Sequence, residues 1–340
     1  MKLEEMIKNG SIKEDEAKAG YVGAYPYAEV VSGYTAFLLG IRSVLSNATM
    51  TVRYTNSWYD EKAEAEVARK LIDEDKCKII SQHADSQGAP SVCEEKGVPN
   101  VFHNGENNDK PKTYLVSSRI NWRPYFRYFI DNTLSGTKME ADFTGSLDDG
   151  SVEIFKASSI AAQGTQEKMD LVVSDLKSGK IHVFDTSKFT VSEGNDNLKI
   201  DSDNHVTSYK ADVDTDSNYE GDTEVVRDGY FHESEMRSAP YFDIRIDDIN
   251  ENGENNGNNT QNGDENVYEI GQNNFHVRNK SDRSLSSGAI AAIVIGVVVA
   301  ILATAAVAVC LAKRGGSKNV VVNNQPTIDS EGTIHNMNPK

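Results

Sequence analysis

Two indoles, two imidazoles and two carboxylates sit in four short polar segments of this chain, each following a run of strand-like residues. The segments are Tyr54-Thr55-Asn56-Ser57-Trp58, Gln82-His83-Ala84-Asp85-Ser86, His103-Asn104-Gly105-Glu106-Asn107, and Ser117-Ser118-Arg119 leading into Asn121-Trp122. Indoles stack on flat rings, and carboxylates accept paired hydrogen bonds from sugar hydroxyls or ring N–H groups. Gathered at one rim, Trp58, Gln82, His83, Asp85, Ser86, Asn104, Glu106 and Trp122 would suit a small, flat, hydroxylated ligand. Each type also has a purely structural use: indoles fill cores, and Asp or Glu caps helices and shapes turns. Catalytic chemistry is not expected, since no nucleophile elbow, phosphate-binding loop or GxGxxG occurs.

Metals and cofactors are not expected either. The seven histidines and three cysteines show no HExxH and no CxxC spacing. Asp212, Asp214 and Asp216 alternate as in a calcium loop, but Ser217 stands where the turn needs glycine and Thr223 where a bidentate Glu belongs. Cys77 and Cys93 are either a disulfide in an oxidising space or two core thiols. The net charge of −17, with no basic stripe, argues against nucleic acid as a partner.

The elements that must position the rim are legible from periodicity. YVGAY, MTVRYTN, CKIISQH, VPNVFHN, KTYLVSS and KIHVF read as strands. AEVVSGYTAFLLGIRSVL, DEKAEAEVARKLIDED, GAPSVCEEKG, NWRPYFRYFIDNTLSG and TQEKMDLVVSDLKSG read as helices, with Asp60 and Asn121 as N-caps and Gly136 as a stop. Strands alternating with such helices predict an α/β fold, a Rossmann-like lobe with a parallel sheet covered on both faces. Ligands bind such sheets beyond the carboxyl ends of the strands. Residues 191–229 are acidic and read as an irregular insertion, after which DGYFHESEMRSAPYFDIRIDDI packs back on the domain.

Beyond residue 249 the composition changes. Residues 250–287 are rich in Asn, Gly, Asp and Glu and read as a flexible stalk, too poor in apolar side chains to offset chain entropy. Residues 288–312 carry no charge. At ~1.5 Å per residue they extend ~37 Å, enough to cross a hydrocarbon core of ~30 Å, so a single membrane-spanning helix is expected. Lys313, Arg314 and Lys318 after the span vote for a cytoplasmic tail (313–340), against Arg278, Lys280 and Arg283 before it. Gly288, Ala292, Gly296, Ala300, Thr304, Ala308 and Ala312 recur every fourth residue, the geometry of a membrane homodimer. Cys310 is a palmitoylation candidate. The sequons at Asn47, Asn258 and Asn279 fit an exterior domain.

YVGAYPYAEVVSGYTAFLLGIRSV, TNSWYDEKAEAEVARKLID, IISQHADS, EEKGVP and INWRPYF, in that order, resemble the basic membrane protein family. These are substrate-binding proteins similar to purine-nucleoside receptors of ABC importers. GYFHESEMRSAPYFDIRIDDI is similar to the family's closing segment, so the resemblance covers roughly residues 20–249. It implies a type I periplasmic-binding-protein fold, two hinged lobes clasping a purine base and its ribose. Trp58, Asp60, Gln82, His83, Asp85, Ser86 and Trp122 match family motifs. Glu106 stands where the family's loop carries a shorter Asp. The family's first lobe and leader sequence are expected to be absent from this chain, which leaves a half-cleft and millimolar binding at best. The reading is a receptor at the plasma membrane, its domain outside and non-enzymatic; the alternative is a surface display or adhesion protein with a degenerate cleft.

Overall fold

The computed structural model describes residues 1–214 and 220–251. A short helix α1 (Lys2–Lys8) precedes β1 (Lys18–Gly23), α2 (Ala28–Arg42), β2 (Thr49–Tyr54), α3 (Glu61–Asp73), β3 (Ile79–Gln82), α4 (Gly88–Lys96), β4 (Asn100–His103) and β5 (Tyr114–Ile120). These strands pair in parallel in the order β2-β1-β3-β4-β5. The chain then forms α5 (Arg123–Ser135), β6 (Val152–Ile154) and α6 (Thr165–Lys177). β6 closes one sheet edge, antiparallel to β5.

The period-two alternation of β1 sends Ala19 and Tyr21 to one face and Val22 to the other. On the first face α2 buries Val30, Val31, Tyr34 and Leu38 against Met50, Val52, Ile79 and Leu115. On the second, Ala68 and Leu71 of α3 and Ala89, Val92 and Cys93 of α4 pack on Val22 and Ile80. Helix starts and stops follow local chemistry. The Asp60 carboxylate accepts the Ala63 N–H at 3.0 Å, satisfying a donor the first helical turn leaves open. Both α4 and α5 end on a glycine in the left-handed region, Gly97 and Gly136. Trp122 is the N-cap of α5, while the preceding Asn121 accepts the Arg123 N–H at 3.2 Å.

Three expectations change. KIHVF (180–184) is not a strand: Ile181 and Val183 are partly exposed and only Phe184 is buried, so no second face was available to cover an alternating strand. Residues 191–229 are not an irregular loop. They build β7 (Leu198–Ile200), β8 (Val206–Ala211) and β9 (Thr223–Glu224) as one antiparallel sheet, then β10 (Val226–Arg227). Val191, Leu198, Val206, Ala211 and Val225 are buried in the α2-side core, so the acidic residues mask a regular apolar pattern. After β11 (Tyr230–Phe231), which pairs with β10, the chain returns to the main sheet. Its last strand, β12 (Ile249–Glu251), pairs in parallel with β2, so the domain runs past the expected boundary at 249. Glu251 is tied in by the hydroxyls of Tyr34 and Tyr54, at 2.7 and 2.9 Å.

Cys77 and Cys93 are free and buried, which resolves the disulfide alternative. Among the described residues no helix is long and apolar enough to cross a membrane. The stalk beyond Glu251, the span at 288–312, its small-residue stripe, Cys310 and the tail all lie outside the described residues.

Candidate functional site

The carboxyl ends of β1, β2, β3 and β4 lead directly into the rim segments. β1 delivers Tyr25 and Tyr27, whose rings stack with centroids 5.1 Å apart. β2 delivers Trp58, which packs on Tyr25 at 5.5 Å and on Tyr27 at 6.4 Å. β3 delivers His83, edge-on to Trp58 at 6.4 Å, and β4 delivers His103, 4.6 Å from His83. Offset and edge-to-face contacts of this kind form one continuous aromatic wall. The backbone holds it together, since the Asp85 N–H donates to the Trp58 carbonyl at 2.8 Å.

The imidazole pair lies between two carboxylates. Glu29, in the first turn of α2, is 3.5 Å from His83 Nε2, and Asp85 is 3.9 Å from His103 Nε2. The Glu29 carboxylate favours the His83 proton at Nε2, leaving Nδ1 to accept from the Tyr21 hydroxyl at 3.2 Å. Gly33 makes this possible: a Cβ there would lie 2.7 Å from His83 Nδ1, so any side chain would displace the ring. The interaction with His83 holds the Glu29 carboxyl below its usual range. Burial pushes Asp85 up. Burial, reinforced by the neighbouring His83, pushes His103 down to about 4.

That last shift sets a pH dependence. The unfolded imidazole titrates near ~6.5, and the folded one binds its proton more weakly. Stability is therefore fully present above pH ~6.5 and falls as pH drops toward ~4. With the side chain 28% exposed, the loss is about 2 kcal/mol. In urea titrations at neutral pH and at pH ~4.5, His103→Gln should remove that part of the acid destabilisation. An equal loss in both proteins would refute a neutral His103.

The other sequence-chosen residues divide by position. Gln82 and Ser86 face the interior, each 1% exposed. The Gln82 amide donates to the carbonyls of Ala84 and Ser86 at 3.1 and 3.2 Å. Ser86 Oγ accepts the Gly88 N–H at 3.0 Å, and its own N–H donates to the buried Glu64 carboxylate at 3.2 Å. Both therefore brace the loop that carries His83 and Asp85. Asn104 adopts a left-handed φ of 56°, which a short polar side chain tolerates; its Oδ1 accepts the Ile120 N–H at 3.3 Å. Glu106 is exposed, on a loop pinned by Ser117 Oγ donating to the Gly105 carbonyl.

Trp122 is 56% exposed, and its ring neighbours are Tyr125 and Phe126 of its own helix. Among the described residues it makes no ring contact with the Trp58 wall. The structure thus gathers Trp58, His83 and Asp85 and leaves Trp122 outside that cluster. His103, already one of the two rim imidazoles, belongs to the wall, and Tyr25, Tyr27 and Glu29 join it without having been singled out in the sequence. The signal was available, because AYPYAE also follows a strand's carboxyl end. No group of three or more His, Cys, Asp or Glu fit to hold a metal occurs among the described residues.

A family model described as Bmp, ABC transporter substrate-binding protein PnrA-like, matches residues 11–187, just over half of the chain. The chain belongs to the Bmp family. Its matched region contains the whole aromatic wall and all the site residues chosen from sequence. A purine-binding protein of Brucella abortus (strain 2308) is 30% identical over 183 residues, covering 53% of this chain and 51% of that protein. A putative ABC transporter glucose-binding protein of Haloferax volcanii is 36% identical over 139 residues, covering 38% of this chain and 34% of that protein. The chain thus spans about half the length of the first of these relatives and about a third of the second. An ABC transporter solute-binding protein from Conexibacter woesei aligns at 18% identity with a TM-score of 0.41, over 49% of this chain and 56% of that one.

Proposed function

We propose that the domain binds a purine nucleoside or a closely similar small molecule at the Tyr25–Tyr27–Trp58 wall, displayed at a membrane surface. The observation that carries the reading is the juxtaposition of that wall with the His83–His103 pair and the Asp85 and Glu29 carboxylates at the sheet's carboxyl edge. A purine ring stacks on such aromatics, and ribose hydroxyls donate to carboxylates. The Brucella relative is a purine-binding protein, which supports the base, and the Haloferax relative is a putative glucose-binding protein, which fits the hydroxyl-binding part.

The wall is open: Trp58 is 36% exposed and the Asp85 side chain 48%. A half-covered ligand keeps much of its surface wet, so the affinity for adenosine or guanosine is at best ~1 mM, about 4 kcal/mol. Calorimetric titration of the full chain should give this weak binding, abolished in Trp58→Ala and weakened in Asp85→Asn. Micromolar binding by the unmodified chain would overturn the open-wall reading; equal binding by Trp58→Ala would overturn the site. The same openness favours the second reading, a non-catalytic display or adhesion protein. Partner capture on cells that survives Trp58→Ala and Glu106→Ala would favour it.

The membrane part of the proposal rests on residues 288–312, uncharged and long enough to cross a bilayer. The domain would then lie outside and the Lys- and Arg-flanked tail inside. A tagged full chain should stay in the membrane pellet after alkaline carbonate extraction. Release into the supernatant would remove the anchor, and with it the proposed homodimer through the Gly288–Ala312 stripe.

A further inference from the structure

We propose that the domain has a second binding site, for a medium-chain aliphatic carboxylate, in an apolar cavity between α2, α6 and the start of the strands. The cavity is about 410 Å³, within the ~300–1,000 Å³ of ordinary ligand pockets. Phe37 and Ile41 line it from the second half of α2, Ile79 and Leu115 from the starts of β3 and β5, and Val172 and Leu176 from α6. Helices crossing between parallel strands run antiparallel to them, so this is the end of the sheet opposite the aromatic wall.

Packed interiors leave few voids larger than a water molecule. Here α6 has a complete apolar stripe, Met169, Val172, Val173 and Leu176, yet none of its residues is buried. Among the described residues no element buries the stripe, which lines the cavity instead. Apolar walls offer water few partners and favour apolar molecules. At about 30 Å³ per water-sized unit, an acyl chain of about ten carbons fits, with room for its head.

The mouth selects the head group. Lys2 and Lys168 both border the cavity. Lys2 is already engaged, 2.5 Å from the Glu5 carboxylate and 3.0 Å from the Ile160 carbonyl. Lys168 sits in the first turn of α6, and its ammonium has no ion pair among the described residues. An anion there meets both that charge and the positive end of the helix.

Photolabelling tests the site on the full chain in mild detergent, with a diazirine-bearing decanoic acid as probe. Labelling should saturate and map to residues 36–45 and 165–176. Decanoate should compete at a concentration about threefold lower than decylammonium, and Lys168→Glu should reverse that order. Gly40 gives the blocking variant: it borders the cavity, and a Cβ there meets nothing within 4 Å. Gly40→Phe should therefore enter the mouth without a clash, keep the thermal transition, and cut labelling about tenfold. Labelling that does not saturate, that maps elsewhere, or that is unchanged in Gly40→Phe would overturn the site. Competition indifferent to head-group charge would overturn the role of Lys168.

Discussion

Phe242→Ala is expected to lower the unfolding free energy by about 4 kcal/mol. The ring is fully buried. It stacks on Phe184 with centroids 4.0 Å apart, and meets Phe231 edge-on at 4.8 Å and Phe189 at 6.2 Å. These aromatics come from the turn before β7, from β11 and from the closing segment, and the Phe231 N–H donates to the Phe184 carbonyl at 2.9 Å. Removing the central ring leaves a cavity bounded by three others that are held by different backbone segments, so collapse cannot close it. The effect should appear in urea unfolding as a lower midpoint with an unchanged slope, because residues 184–251 unfold together with the parallel sheet. Leu134→Ala is the control: that side chain is 82% exposed and its loss should stay within ~0.5 kcal/mol. A Phe242→Ala loss below ~1 kcal/mol would mean that the closing segment is not part of the cooperative unit.

The same aromatic block marks where sequence reasoning stopped being sufficient. The five central strands and the helices between them were legible from local signatures such as the apolar run of β1, the alternation of β2, the Asp60 cap and the glycine stop at Gly136. Residues 191–229 have no such signature. Their apolar residues are sparse among polar and acidic ones, and become a pattern only when β7, β8 and β9 pair across the chain. KIHVF failed in the opposite sense. Its local alternation is strand-like, but β6 and β12 take the two sheet edges, and local pattern carries no information about a vacant partner.

The rim was legible by topology rather than by residue type. The rule that loops follow strand carboxyl ends brings Trp58, His83 and Asp85 to one rim, where the structure also places them. It could not separate side chains that face outward from those that face the interior, because that depends on the turn geometry of residues 82–88. Gln82 and Ser86 have the same polar character as binding residues, and both are spent on holding the turn. Tyr25 and Tyr27 are ambiguous in the sequence, because an aromatic just past a strand end reads equally well as core. Only their stacking against Trp58 distinguishes them.

Gly88→Ala provides the sharpest test of how that turn is built, because two simple arguments predict opposite signs. Gly88 is the first residue of α4, and alanine is the better helix former by about 1 kcal/mol. Propensity alone therefore predicts a more stable protein. Packing predicts the reverse. A Cβ at this position would lie 2.2 Å from the Glu61 carbonyl oxygen and 2.9 Å from the Ala65 nitrogen, both backbone atoms of α3. No rotamer relieves a contact with backbone, so the two helices must separate. Forcing them apart costs about 3 kcal/mol, more than the propensity gain. The consequence also reaches the site. Separation pulls on Ser86, whose hydroxyl accepts the Gly88 N–H at 3.0 Å and whose N–H donates to Glu64 at 3.2 Å. The loop carrying His83 and Asp85 loses its brace as a result. Urea unfolding should show the loss in stability, and the nucleoside titration should show binding weakened further than stability alone accounts for. An unchanged or higher midpoint would mean that α3 and α4 do not approach this closely, and the bracing of the aromatic wall would then need another origin.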